Sequence, residues 1–137
     1  MSSAPLEDQL DCYFPLCSQT KAAQILVNYS PGYFLLRPSD GDPEACCTVS
    51  VRQRNRIMNL RVYRCPLRGE FYLRSLEEEN RTYFQSIRDL LQHYSGKKRR
   101  ISALCEGEIC GFYLSTPVQR ANAECRRRSN KALDEIL

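Results

Sequence analysis

The stretch Gly32-Tyr33-Phe34-Leu35-Leu36-Arg37-Pro38-Ser39 determines how the rest of this sequence is interpreted. Four bulky apolar residues follow one another between a glycine and a Pro-Ser pair, which is typical of a short, largely buried strand. Arginine is almost never fully buried unless it is paired, and this stretch contains no carboxylate. The sequence therefore predicts an anionic partner for Arg37. The alternative is a strand-end arginine that reaches solvent or meets a distant Asp or Glu.

Length and composition indicate one ordinary globular domain. A chain of 137 residues, 42% hydrophobic and 26% charged, can bury a modest single core. No window approaches about 18 continuous apolar residues, so we expect no membrane span. The first residues lack the basic start and apolar run of a secretory signal, and Ser2 stands where N-myristoylation requires glycine. These features predict a cytoplasmic protein.

Eight cysteines are many for this length, but their spacing does not indicate a metal site. No C-x-x-C pair occurs, and His93 is the only histidine, so the spacing of a zinc finger is absent. Without a secretory signal we expect reduced thiols that pack as small apolar residues, rather than a disulfide framework or a metal centre. We therefore predict no cofactor and no metal.

Basic residues outnumber acidic ones, and arginine dominates. The net charge is +4, and 16 of the 20 basic residues are arginine, whose planar fork suits phosphate and carboxylate. Three basic clusters lie at Arg52–Arg64, Lys97–Arg100 and Arg126–Arg128. They are either solvated faces or sites that attract nucleic acid or an anionic membrane surface.

The hydrophobic pattern predicts an α+β fold in which a central antiparallel sheet is flanked by two α-helices. Ser18 is a plausible N-cap for the first helix, and Gly96 ends the second. The predicted helices are Ser18–Val27 and Phe84–Tyr94, and the predicted strands are Tyr33–Arg37, Cys47–Val51, Ile57–Tyr63 and Phe71–Leu73. Two short apolar pieces follow at Ile101–Leu104 and Ile109–Leu114. Residues 1–11 are predicted to form a loose arm, residues 12–117 the domain, and residues 118–137 a basic tail or linker.

The order of these motifs resembles the Src homology 2 (SH2) family over residues 12–117. The matching features are the helix, the G-x-F-L-x-R-x-S strand, the hairpin, and the F-x-S-x-x-x-L-L-x-x-Y helix that begins at Phe84. The Leu-Leu-Arg-Pro-Ser form and the Cys-Tyr-Phe start are also similar to the signal-transducing adaptor proteins. The resemblance implies a non-catalytic module of tyrosine-kinase signalling that binds phosphotyrosine in activated receptors, kinases or adaptors.

The resemblance also implies the residues of a phosphotyrosine pocket. Arg37 matches the arginine at the pocket floor, which is too deep for a phosphoserine to reach. Arg61 matches the basic residue of the third strand that packs along the tyrosine ring. The other matching positions are the Ser39 hydroxyl, the backbone N–H groups of Asp40 and Gly41, the wall residue Thr48, and Gln19. We expect Thr48 to face the pocket only if its strand is irregular at Val49.

This sequence departs from the family pattern at several of those positions. Many members carry a second arginine where this chain has Gln19, so Arg37 and Arg61 should supply nearly all of the cationic recognition. The turn that carries Asp40, Asp42 and Glu44 should repel phosphate unless these side chains point outward. The usual histidine of the third strand is Asn59, and the usual tryptophan before the first helix is Cys12.

A peptide-specificity groove is expected beside the pocket. Leu60 stands where Src-like members have tyrosine, and Tyr94 matches the second wall of the groove. Together with Asn59 they predict a preference for apolar residues after the phosphotyrosine, particularly at the third.

Three other functions remain open from the sequence alone. The first is a scaffold or dimerisation domain of the same fold with weak or no phosphotyrosine binding, suggested by Gln19 and the acidic turn. The second is an enzyme that combines a reactive cysteine with His93. The third is nucleic-acid binding through the basic clusters, which lack interleaved aromatic residues, so we expect no nucleic-acid partner.

Overall fold

The computed structural model describes residues 5–75, 81–97, 99–105 and 107–123. A four-stranded antiparallel sheet lies at its centre, with the strands in chain order. Its strands are β1 (Phe34–Arg37), β2 (Ala45–Arg52), β3 (Ile57–Arg64) and β4 (Phe71–Leu73). All of β1 and Cys47–Val51 of β2 are buried, because both faces of the sheet are covered.

The helix α2 (Gln19–Leu26) covers one face of the sheet. It begins after Ser18, whose side chain accepts a hydrogen bond from the N–H of Lys21, as the sequence predicts. Ala22 and Leu26 are fully buried and pack with Leu35 of β1. This contact fixes which face of β1 the helix covers, and Arg37 lies on the same face two residues further on.

The helix α3 (Ile87–Tyr94) covers the opposite face and begins three residues later than the sequence predicts. Ser86 caps it by accepting from the N–H of Asp89. Phe84 instead makes an antiparallel bridge to Phe71, with backbone hydrogen bonds in both directions, so it extends the sheet. The predicted fold class, an antiparallel sheet between two helices, is confirmed.

Both ends of the domain pack along the outer edge of β1. Backbone hydrogen bonds join Leu36 to Cys12 and Phe14 on the N-terminal side, and Phe34 to Thr116 and Val118 on the C-terminal side. These contacts pair the strand edge that would otherwise be open for association.

The two segments outside the predicted domain differ from expectation where they are described. Residues 6–10 are not a loose arm, because α1 (Leu6–Gln9) forms and Leu6 and Leu10 pack against the core. Val118 is almost fully buried, so packing continues past residue 117. Residues 124–137 of the predicted tail lie outside the described residues, and the domain limits stay a prediction.

A separate two-stranded sheet follows α3. It is an antiparallel hairpin of β5 (Ile101–Cys105) and β6 (Glu108–Phe112), formed by the two short apolar pieces. Ile101 and Phe112 face the main core, whereas Leu104 and Ile109 are exposed. Within the described ranges, no helix has the length and apolar character needed to cross a membrane.

Candidate functional site

One row of side chains crosses three strands on the face covered by α2. The sheet register pairs Arg37 with Thr48 and Thr48 with Arg61. Residues opposite one another in a sheet lie on the same face, so these three are neighbours. Thr48 reaches this face by ordinary alternation in β2. The expectation that Thr48 needs an irregularity at Val49 to face the pocket is wrong, because the register shift lies between Ala45 and Cys47.

Arg37 is buried, with 3% of its surface exposed, and its guanidinium is held by neutral acceptors. Its Nε donates to Ser50 Oγ at 2.9 Å, and its Nη2 donates to Asn59 Oδ1 at 3.3 Å. Ser50 Oγ in turn donates to the same Asn59 oxygen at 2.6 Å. These bonds fix the orientation of the guanidinium but do not neutralise its charge. Its carboxylate partner among the described residues is the mostly exposed Asp40, and a guanidinium buried in this way suits an anion.

The turn after β1 closes over this cation. Ser39 Oγ and Thr48 Oγ1 lie 2.7 Å apart, so two hydroxyl groups stand beside Arg37. Gly41 has a φ of 78°, a left-handed conformation in which glycine carries no steric cost. Within the described ranges, no backbone carbonyl accepts from the N–H of Asp40 or Gly41. These two groups can therefore donate to a ligand oxygen.

Two of the three acidic side chains of the turn, those of Asp40 and Asp42, face the arginines of the site. Asp40 Oδ2 lies 3.3 Å from Arg37 Nη1, and Asp42 Oδ2 lies 3.6 Å from Arg61 Nη1. The hydroxyl of Tyr63 donates to Asp42 Oδ2 at 2.7 Å. This hydrogen bond, the N–H of Glu44 and the nearby Arg61 lower the pKa of Asp42. Asp42 is therefore charged at neutral pH and holds Arg61 against the turn.

Gln19 lies exposed at the first residue of α2. The start of this helix lies near the site, since the charges of Arg37 and Asp40 both influence the pKa of Cys17. Burial is the largest of the influences on Cys17 and raises that pKa. The expected weakening of the site by a neutral residue at Gln19 stays a prediction.

The residues expected to form one specificity groove lie on two faces of the sheet. Asn59 is on the Arg37 face and contacts the guanidinium. Leu60 points to the opposite face and is buried in the core, with 5% exposure. Tyr94 packs on that core side, in a cluster with Phe84 and His93 whose ring centroids are 4.8–5.9 Å apart. The structure therefore joins Asn59 to the anion site rather than to the groove.

Comparison with known proteins identifies this arrangement. The family model for the SH2 domain matches residues 13–94. The chain belongs to the SH2 domain family. The fold also matches the solution NMR structure of the SH2 domain of a CRK/CRKL homolog (crka1) from Monosiga brevicollis, with a TM-score of 0.58. The two chains share 19% identity, and the match covers 88% of this chain and 93% of the other. None of the curated proteins matches this chain.

Family membership gives the SH2 domain its general role, that of a phosphotyrosine-binding signalling module. SH2 domains are generally non-catalytic binding modules. The site described above fits this role because Arg37 stands at the end of β1 with hydroxyl and N–H groups around it. Which side chains touch the phosphate stays a prediction.

Sequence reasoning missed Ser50, which is fully buried and bonds both Arg37 and Asn59. A signal for it was present in the alternation of β2. Ser50 follows Thr48 by two residues, so both side chains lie on the same face of the sheet. A buried serine on the face of a buried arginine is a natural acceptor for it.

An arginine-rich aromatic surface on the SH2 domain was also missed. Tyr63, Tyr72 and Tyr83 form a chain of ring contacts with centroids 5.6 Å apart. Arg81 lies 4.0 Å over Tyr72, Arg68 lies 4.7 Å over Tyr83, and Arg74 donates to the Tyr63 hydroxyl. Aromatic and basic residues thus interleave here, with arginines that lie outside the three basic clusters noted in the sequence. Cation–π contacts cover ring faces on which a nucleic-acid base would stack.

Six cysteines of the described residues are free thiols, namely Cys12, Cys17, Cys46, Cys47, Cys65 and Cys110. Burial raises the pKa of Cys12 to about 11 and the pKa of Cys47 further. Both thiols are therefore protonated at neutral pH, and a thiol is a poor nucleophile compared with a thiolate. His93 packs against Phe84 and Tyr94.

Labelling of the native SH2 domain with a disulfide reagent at pH 7.5 should leave Cys12 and Cys47 largely unreacted. We expect both to react at the rate of a free thiol once the protein is unfolded in guanidinium chloride, because burial alone protects them. Peptide mass spectrometry after timed quenching measures each site, and the exposed Cys46 is the internal control. Fast native labelling of Cys12 or Cys47 would contradict the burial argument and revive a reactive-thiol function.

Proposed function

We propose that this SH2 domain binds a phosphotyrosine with Arg37 at the floor of the pocket. Ser39 and Thr48 supply hydroxyl groups, the N–H groups of Asp40 and Gly41 close over the phosphate, and Arg61 packs along the tyrosine ring. The observation that carries the proposal is the burial of Arg37 with neutral acceptors at Nε and Nη2. Among the described residues, its one carboxylate partner is Asp40, which is 66% exposed and can move away.

The charge and shape of the site support a phosphate on a long side chain. Phosphotyrosine carries about −1.5 to −2 charges at neutral pH and offers three strong acceptor oxygens. A guanidinium binds such a group in bidentate geometry, which also fixes its orientation. Because Arg37 is buried, a phosphoserine is too short to place its phosphate there. We therefore expect selectivity for phosphotyrosine by depth.

The proposed module acts in the cytoplasm, without catalysis, as part of an adaptor that binds phosphorylated receptors, kinases or other adaptors. No finding supports the alternative of a scaffold with a decayed pocket. Weak contact of the basic clusters with an anionic membrane stays a prediction. In the first cluster, Arg61 is engaged by the acidic turn and Arg64 lies over the ring of Phe71. Arg126–Arg128 lie outside the described residues.

The test is a binding measurement by fluorescence anisotropy with three peptides of one sequence that carry tyrosine, phosphotyrosine or phosphoserine. We expect only the phosphotyrosine peptide to bind. Two further phosphotyrosine peptides, which carry leucine or aspartate three residues after the phosphotyrosine, test the expected preference for apolar residues beside Tyr94. Equal binding of the phosphorylated and unphosphorylated peptides would contradict the proposal and favour the scaffold.

A further inference from the structure

The phosphate site of the free domain already contains an anion. Asp40 Oδ2 lies 3.3 Å from Nη1 of Arg37, and it is the only carboxylate within ion-pair distance of that guanidinium among the described residues. Asp40 follows Arg37 by three residues, and the turn after β1 places its carboxylate against the arginine that ends this strand. A phosphate oxygen that binds this edge of the guanidinium must take the place of the Asp40 oxygen.

The rest of the turn keeps Asp40 in this position. Arg61 Nη2 donates to the backbone oxygen of Asp40 at 3.2 Å, and Arg61 Nη1 pairs with Asp42. Asp42 is held in turn by the hydroxyl of Tyr63. Both arginines expected to bind phosphotyrosine are therefore tied to the same acidic turn. The turn lies across the site as a single hydrogen-bonded unit.

We propose that Asp40 is an internal competitor for the phosphate, and that it sets the affinity of the site by occupying Arg37 until a phosphotyrosine displaces it. This inference rests on the proposed function. When only a fraction of the molecules has an open site, the apparent dissociation constant is the intrinsic one divided by that fraction. The Asp40 carboxylate is exposed, and exposed ion pairs are weak, so the open fraction is substantial. Removing the competitor should therefore tighten binding by about threefold to fivefold.

Glu44 supplies a matched control in the same turn. It has the same charge as Asp40, and within the described residues no ion pair joins its carboxylate to either arginine. D40N and E44Q therefore remove one negative charge each from the same turn. Only D40N removes a carboxylate that touches the guanidinium.

The test compares wild type, D40N and E44Q with one phosphotyrosine peptide and its unphosphorylated form, by isothermal titration calorimetry at about 0.15 M salt. Thermal unfolding verifies that each variant is folded. We expect D40N to bind the phosphopeptide about threefold to fivefold more tightly than wild type, and E44Q to change its affinity less than twofold. In the free domain, the guanidinium NMR signals of Arg37 should shift in D40N and not in E44Q.

Three outcomes overturn the inference. D40N that binds no more tightly than wild type shows that Asp40 does not compete. Equal tightening in D40N and E44Q shows that only the overall charge of the turn matters. Unshifted Arg37 signals in D40N show that the contact is absent in solution. The proposed function itself fails only if wild type binds phosphorylated and unphosphorylated peptides alike. This comparison therefore distinguishes a failure of the proposed function from a failure of the Asp40 inference alone.

Discussion

Arg37→Ala should lower affinity for a phosphotyrosine peptide by about two to three and a half orders of magnitude. Breaking a buried ion pair by removing one partner typically costs about 3–5 kcal/mol, and each 1.4 kcal/mol is a factor of ten. Arg37 fits this case because it is 3% exposed. Its neighbours Ser50 and Asn59 are neutral, so they cannot supply the lost positive charge to a phosphate. Ser50 and Asn59 can still bond each other after the substitution, so the domain should remain folded.

Two further variants make the Arg37 result specific. Arg37→Lys keeps the charge but loses the planar fork, so we expect an affinity between those of wild type and Arg37→Ala. Arg54→Ala removes the same charge from the exposed turn between β2 and β3, at the end of the hairpin far from the site, and should change affinity little. Calorimetry measures all three. Similar losses in Arg37→Ala and Arg54→Ala would reduce the role of Arg37 to general electrostatics.

The fold was predictable because local signals and the tertiary arrangement agree. Ser18 caps α2 as expected, and the apolar stretch that ends at Arg37 is the strand covered on both faces. The start of α3 was misplaced at Phe84, because an aromatic residue at helical spacing also suits a strand, and only pairing with Phe71 shows which it is. The short helix at Leu6–Gln9 was missed since packing against the core, not its own length, stabilises it.

The candidate site was predictable only in part. Resemblance supplied Arg37, Ser39, Thr48 and Arg61, and the structure brings these together at the end of the sheet. The positions of Asn59 and Leu60 became clear only from the register of the sheet. The pairing of β2 with β3 places Asn59 against the guanidinium and buries Leu60 on the other face. The direction of the Asp40 carboxylate could not be derived from sequence, because a turn residue can face solvent or the site.

Ser50→Ala should lower the free energy of unfolding by about 1.5–3 kcal/mol, the usual contribution of a hydrogen bond to a charged group. Ser50 is completely buried, its Oγ accepts from Arg37 Nε at 2.9 Å, and it donates to Asn59 Oδ1 at 2.6 Å. Alanine leaves the Nε–H of a buried cation without its acceptor. The hydrogen bond between Ser50 and Arg37 is present in the free domain, so its loss mainly lowers the free energy of unfolding. Affinity should fall by less, about tenfold at most, through the looser orientation of Arg37.

A double-mutant cycle distinguishes this positioning role from simple packing. If Ser50 acts by satisfying the guanidinium, then Ser50→Ala costs much less stability in an Arg37→Ala background, because no buried N–H is left unpaired there. Ser50→Thr retains the hydroxyl and should recover phosphopeptide affinity. Urea unfolding gives the four free energies, and calorimetry gives the affinities. An equal cost of Ser50→Ala in both backgrounds would make Ser50 a packing residue, and the orientation of Arg37 would then depend on Asn59 and the turn.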